Sequence, residues 1–191
     1  YRGDFLAFTV GDFYEQFGSG LIFRSYEDRQ LGLNNSLNGA NIHIKPSDYF
    51  TLKMIYGKQK KYFNESEGII RGLDADLDIS SLFKFENNLN IRLGASLISK
   101  YELYTGPDPL FPSTVNSYAG RLDINLPKFS FSTEYVYKDS DPHDLNFMWN
   151  KTGNALLANF SYTENGLAMN LALRRLENMD SRSERSAIDN E

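Results

Sequence analysis

The chain has 191 residues and a mass of 21.8 kDa, the size of one domain or of a piece of a larger one. Twenty Lys and Arg against 25 Asp and Glu give a net charge of −5 and a pI of about 5.1, no footprint for nucleic acid, and zero Cys excludes disulfides, thiolate metal sites and cysteine nucleophiles. A mean hydropathy of −0.46 without any run of about 18 apolar residues excludes a membrane-spanning helix but not a β-barrel, whose strands show lipid only every second residue.

Hydrophobic residues at 41% and aromatics at 14% are too many for a disordered chain, and 12 Tyr with 14 Phe favour β-structure. The sequence opens at Tyr1 with no Met or signal-like stretch and ends on a polar tail, so it reads as an internal fragment or a processed chain. No linker or repeat divides it, and residues 1–191 form a single barrel domain or a fragment of one.

Period-2 alternation runs almost throughout, with no helical period of useful length. In chain order it predicts about ten strands, at residues 5–14, 21–26, 38–45, 49–59, 68–79, 89–103, 115–126, 128–138, 153–163 and 167–178. The clearest separates Leu89, Ile91, Leu93, Ala95 and Leu97 from Asn90, Arg92, Gly94 and Ser96. The links alternate in length: tight at 15–20, 46–48, 127 and 164–166, longer at 27–37, 60–67, 104–114 and 139–152, with 80–88 intermediate. Such alternation is the mark of an up-and-down antiparallel sheet, and of outer-membrane barrels in particular. Strands of about 10 to 13 residues, tilted by about 40°, cross roughly 25 to 30 Å of hydrocarbon, whereas soluble strands average about five or six.

Aromatics gather near the links. Phe13, Tyr14, Tyr49, Phe50, Phe83, Phe85, Phe129 and Tyr162 lie by short ones, and Tyr26, Tyr56, Tyr101, Tyr118, Tyr135 and Tyr137 by long ones, which suits two interfacial girdles. The polar face carries Asp74, Asp76, Asp78, Arg92, Arg121, Asp123, Glu134 and Arg174 in mid-strand, the candidate lumen-facing residues. A soluble barrel or sandwich alternates in the same way; strand length, link asymmetry and aromatic ends favour the membrane. On this facing, Leu93→Arg and Ile124→Arg should block insertion and Arg121→Leu should leave it nearly intact.

One stretch carries a resemblance: Gly11-Asp12-Phe13-Tyr14-Glu15-Gln16-Phe17-Gly18-Ser19-Gly20-Leu21-Ile22, continued by Arg24-Ser25-Tyr26-Glu27-Asp28-Arg29 and Leu31-Gly32. With Asn34-Asn35-Ser36-Leu37 and Gly57-Lys58-Gln59, it resembles a Bacteroidota family of outer-membrane-type proteins known only as a domain of unknown function. The resemblance covers about the first 75 residues. It implies an outer-membrane location and a barrel longer than this chain, and names no chemistry.

Motifs for catalysis or metals fail on their spacing. Asp74, Asp76 and Asp78 start like a calcium loop, but Ile79 and Phe85 stand where Gly and Glu are needed. On a strand they make an acidic ladder neutralised by neighbouring Arg. Gly18-Ser19-Gly20 is a turn without the Lys of a phosphate loop. His43 lies on a polar face, His143 lies in a turn-forming loop, and neither is spaced for a triad or a metal site. Asn64, Asn150 and Asn159 head chance glycosylation sequons, and Phe147-Met148-Trp149 forms an apolar spot in a long loop. The expectation is an all-β, up-and-down antiparallel transmembrane β-barrel, about ten strands here and part of a larger barrel, in the outer membrane of a Gram-negative bacterium. Its role would be porin-like passive transport or structure in the cell envelope. Alternatives are a plugged scaffold of a secretion or surface-assembly complex, or a soluble β-domain. The lipid bilayer and other envelope proteins are the expected partners, with no enzyme activity, cofactor, metal or nucleic acid.

Overall fold

The computed structural model describes residues 1–61, 64–85, 88–103, 112–142 and 151–181. β1 (Leu6–Phe13) leads into an excursion, residues 14–36, that holds two short antiparallel pairs: β2 (Gln16–Phe17) with β3 (Phe23–Arg24), and β4 (Glu27–Asp28) with β5 (Leu33–Asn34). The chain returns beside β1 as β6 (Leu37–Ser47). It continues through β7 (Phe50–Lys61), β8 (Asn64–Asp78), the short helix α1 (Ile79–Phe83), β9 (Asn90–Tyr101), β10 (Thr114–Leu126), β11 (Phe129–Lys138), β12 (Gly153–Glu164) and β13 (Leu167–Glu177). β1 and β6 to β13 form one nine-stranded sheet in which each strand pairs antiparallel with its neighbour in order.

The pleat sorts the side chains as the alternation requires. In register, Asn41 faces Ile55, Ile55 faces Gly72 and Gly72 faces Ile98, and further round Arg121 faces Glu134 and Glu134 faces Leu157. All of these lie on one face, which the excursion covers. The opposite face carries Val10, Ile42, Met54, Leu73, Leu93, Leu122, Phe131, Leu156 and Leu171 with their period-2 neighbours, an almost unbroken apolar surface across nine strands.

Three sequence expectations are corrected. Residues 21–26 are not a wall strand, so the sheet has nine strands rather than ten. Leu21, Ile22 and Phe23 are three consecutive apolar residues, and a strand in this wall needs one polar face. The supposed tight link at 15–20 is therefore part of the excursion. The supposed long link at 60–67 is tight, because β7 runs to Lys61 and β8 starts at Asn64, with a bulge near Lys58 to Lys60 absorbing the register shift. Among the described residues the sheet is open: β1 and β13 are its edges and do not pair with each other. On the free side of β1, Tyr1 to Gly3 turn back antiparallel, with the Phe8 N–H donating to Tyr1 O at 2.9 Å and Arg2 bridging Ala7.

Link asymmetry otherwise stands. One end of the sheet carries the excursion, the ends of β7, β9 and β11 and the starts of β8, β10 and β12. The other carries the hairpins at 48–49, 127–128 and 165–166 and the segment with α1. The α1 segment is capped by Asp78, whose Oδ1 accepts from the Ser81 N–H at 3.0 Å. Exposed Tyr56, Tyr101, Tyr118, Tyr135 and Tyr137 sit towards the long-link end, and exposed Tyr49, Phe83 and Phe85 sit by the hairpins. Phe13 leaves the aromatic band because it points inward and is buried. Tyr14 and Tyr26 leave it because they belong to the excursion.

Candidate functional site

The excursion is an internal filling. Phe17 is fully buried on the inner face of β7, β8 and β9, in a cluster with Phe13, Leu37, Ile55, Ile70 and Ile98. Gly72 makes the room: a Cβ there would lie 2.8 Å from Phe17 Cε2 and 2.7 Å from Ile98 Cδ1. The Phe23 ring closes over Phe17 with centroids 5.6 Å apart. Leu21 and Ile22 extend the filling to a second cluster around Ala119, Val136 and Ala155. The apolar run that cannot build a wall strand thus supplies the core of the inner face.

Polar groups fasten the segment on both sides of Phe17. The Glu15 carboxylate, its side chain 9% exposed, accepts from Asn41 Nδ2 at 2.9 Å and from Lys53 Nζ at 3.0 Å, and lies 2.6 Å from His43 Nε2. Lys53 also donates to Gln16 O, and the Glu15 N–H donates to Ser25 Oγ. Burial alone would raise the Glu15 pKa, but the hydrogen bonds from Asn41, Lys53 and the Gln16 amide outweigh it and hold the carboxyl below its ordinary value. Across the sheet, the Ser19 N–H donates to Glu134 Oε2 at 2.9 Å. Gly18 between them is left-handed at φ +53°, and a Cβ there would lie 2.7 Å from Arg121 Nη1, so the turn sits on the guanidinium. A segment that touches both β7 and β11 requires the sheet to curl round it.

Arg121 is the hub under that turn. Its guanidinium donates to Ser96 Oγ, to Asp74 Oδ1 at 2.6 Å and to Asp76 Oδ1 at 2.9 Å, joining β8, β9 and β10. Asp74 is 1% exposed. The arginine compensates a buried carboxylate instead of standing free in a watery lumen.

The other candidate residues share the inner face without forming one constellation. Asp78 lies 3.9 Å from Arg92 and caps α1, and Arg174 is exposed on β13. Asp123 and Glu134 line a cleft of about 540 Å³ beneath the Gly18-Ser19 turn, together with Asp76, Asp78, Arg92 and Arg121. Of the sequence motif, Gly11, Asp12 and Phe13 end β1, with Asp12 ion-paired to Lys60, and Tyr14 to Gly20 begin the filling. Reading the sequence missed Asn41, Lys53 and Gly72 as partners of the segment; a lone mid-strand Gly was the available signal for the last. His143, the 147–149 apolar spot and most of the 104–114 link lie outside the described residues. Among the described residues, no three His, Asp or Glu are grouped to hold a metal ion.

Three outcomes are expected. Phe17→Ala should cost about 3 to 5 kcal/mol, the range for emptying a buried aromatic site, read as a fall in the urea midpoint. Arg121→Leu should cost about 3 to 5 kcal/mol by stranding Asp74, and Asp74→Asn in the same chain should recover part of it. Because the Glu15 pKa is depressed, its contribution is full above the ordinary glutamate value of about 4.3 and is lost as pH falls through the lower folded value. Amide-exchange protection at residues 15–19 should therefore drop on acidification below that range, and less so in Glu15→Gln.

No curated protein matches the chain. A family match does span residues 1–191 in full, under the description "Family of unknown function (DUF6029)". The chain belongs to the DUF6029 family.

Proposed function

We propose that this chain is the wall, or part of the wall, of a plugged β-barrel in the outer membrane of a Gram-negative bacterium of the Bacteroidota. Its role is structural, as a scaffold for other envelope proteins, and its lumen is held closed by residues 14–36. The observation that carries the reading is the inversion of polarity. Twenty-five large apolar or aromatic side chains are exposed, against ten buried hydrophobic ones among the described residues. An apolar surface continuous over nine strands exceeds the few hundred Å² that water-soluble monomers expose, and lipid is the solvent that suits it. Eight of the nine sheet strands have 10 to 15 residues, long enough to cross roughly 25 Å of hydrocarbon. Backbone groups at an unpaired edge in hydrocarbon cost several kcal/mol each, so the edges at β1 and β13 are paired in the bilayer, by further strands or a neighbouring chain.

The scaffold role is favoured over passive transport by the packing of Phe17, Ile22 and Phe23 across the space a pore would need. The polar cleft beneath the turn favours transport as the second reading, with solute passing if the segment withdraws.

In native envelopes the protein should resist carbonate and urea washing and migrate differently on gels before and after heating. Leu93→Arg and Leu171→Arg should prevent insertion, at about 2 to 4 kcal/mol each near the midplane, whereas Asn170→Arg, one residue away on the other face, should insert. In planar bilayers the intact protein should show no steady conductance. Steady wild-type conductance would replace the scaffold with a porin. Release into the wash would return the protein to the soluble β-domain reading.

A further inference from the structure

The apolar face of the sheet turns polar at one level. Along β8 it runs Leu77, Ala75, Leu73 and then Arg71, and in register with Arg71 stand Tyr56 on β7, Ser99 on β9 and Asn116 on β10. Lys58 lies one step further towards the end that carries the excursion, opposite Ile69 and so diagonal to Arg71, a placement that two long side chains can bridge. The Arg71 guanidinium carbon lies 5.9 Å from the centroid of the Tyr56 ring, which props it at the surface. Neither Lys58 nor Arg71 has an acidic partner among the described residues. The other strand cations of this face are neutralised, Lys60 by Asp12 and Arg175 by Glu177, and Glu67, beyond Ile69, has a partner of its own. A second feature lies on the same strands. Ala75, Ala95 and Gly120 stand side by side across β8, β9 and β10, and there the apolar face sinks into a hollow of about 510 Å³ walled by Leu77, Leu93 and Tyr135. A Cβ on Gly120 would meet nothing within 4 Å, so the hollow opens outward.

We propose that this stretch of wall holds a lipid with an anionic phosphate headgroup, its phosphate on Lys58 and Arg71 and an acyl chain laid across Leu73 into the hollow. The inference rests on the reading of this face as the one that meets lipid. Arg71 offers paired N–H donors and Lys58 a compact charge, the two ways in which side chains hold phosphate oxygens. Cations without carboxylates at the edge of a hydrocarbon layer draw negative headgroups to them. Ala75 lies four positions from Arg71 along β8, about 13 Å, and the only side chain of that face between them is apolar Leu73. One amphiphile therefore satisfies both features. A free phosphate would meet the two charges and leave the hollow unfilled, and an uncharged lipid would fill the hollow and leave the charges unmet.

The test places the full chain in vesicles of phosphatidylcholine alone and of phosphatidylcholine with phosphatidylglycerol in equal parts, washes both with carbonate, extracts them in mild detergent and counts the lipids kept by native mass spectrometry. The wild type should stay in both kinds of vesicle and, from the mixture, keep phosphatidylglycerol over phosphatidylcholine by about tenfold. Lys58→Gln with Arg71→Gln should insert as well as the wild type and bring that ratio to about one. Gly120→Leu, which fills the hollow and leaves both cations in place, should lower phosphatidylglycerol retention by about threefold or more. Glycerol 3-phosphate at millimolar concentration, a headgroup without chains, should displace nothing. Insertion without lipid preference overturns the site and leaves the membrane reading standing, whereas release from both kinds of vesicle overturns the two together. Wild-type preference in the double variant also overturns the site, and displacement by glycerol 3-phosphate would replace the lipid with a free phosphate ester.

Discussion

The seat of Phe17 against Gly72 is the contact from which the rest of the inner face follows. A ring of that size fits beneath the sheet only where the wall has no side chain, and once seated it fixes the chain on both sides. Glu15 is brought to Asn41 and Lys53 two residues before it, and Ser19 is brought to Glu134 two residues after it. One apolar contact of roughly 1.5 to 3 kcal/mol in burial alone is thereby reinforced by charge-assisted hydrogen bonds on opposite sides of the sheet. The segment is packed like a core against one face of the sheet.

That packing changes what the charged residues of the wall are for. In an open channel, rings of Asp and Arg would act on solute. Here Asp74, Asp76 and Arg121 act on each other, across three strands. Buried ion pairs contribute little net stability, and removing one partner is expensive. Their effect is to fix how β8, β9 and β10 align, because a slip of one residue would turn the carboxylates to the apolar face.

The wall was legible in the sequence because period 2 is a strong signal over 10 or more residues: the eight sheet strands after β1 follow alternating segments such as 89–97 and 115–126, and β1 itself falls within 5–14. The filling was not, because Leu21, Ile22 and Phe23 look like a short strand between turn residues. Only tertiary contact shows that they pack beneath β7 to β12. The Asp ladder faces one way, with Arg121 and Arg92 beside it. The identity of its partner, Arg121, depends on a register between β8 and β10 that runs through β9 and leaves no local trace. Openness of the sheet was equally hidden, since alternation reports the faces of a strand and says nothing of its edges.

The order of the strands carries a parity rule. Nine strands that alternate up and down leave β1 and β13 running in the same direction. A ring in which every neighbour is antiparallel has an even number of members, so a barrel closed upon this sheet would need an odd number of further strands. Tyr1 to Gly3, already antiparallel along the free side of β1, stand where the first of them belongs, and they present to β13 an edge of opposite direction. Two identical sheets joined only to each other would instead total eighteen strands. That sum is even, and it is reached by pairing β1 with β1 and β13 with β13 about a twofold axis.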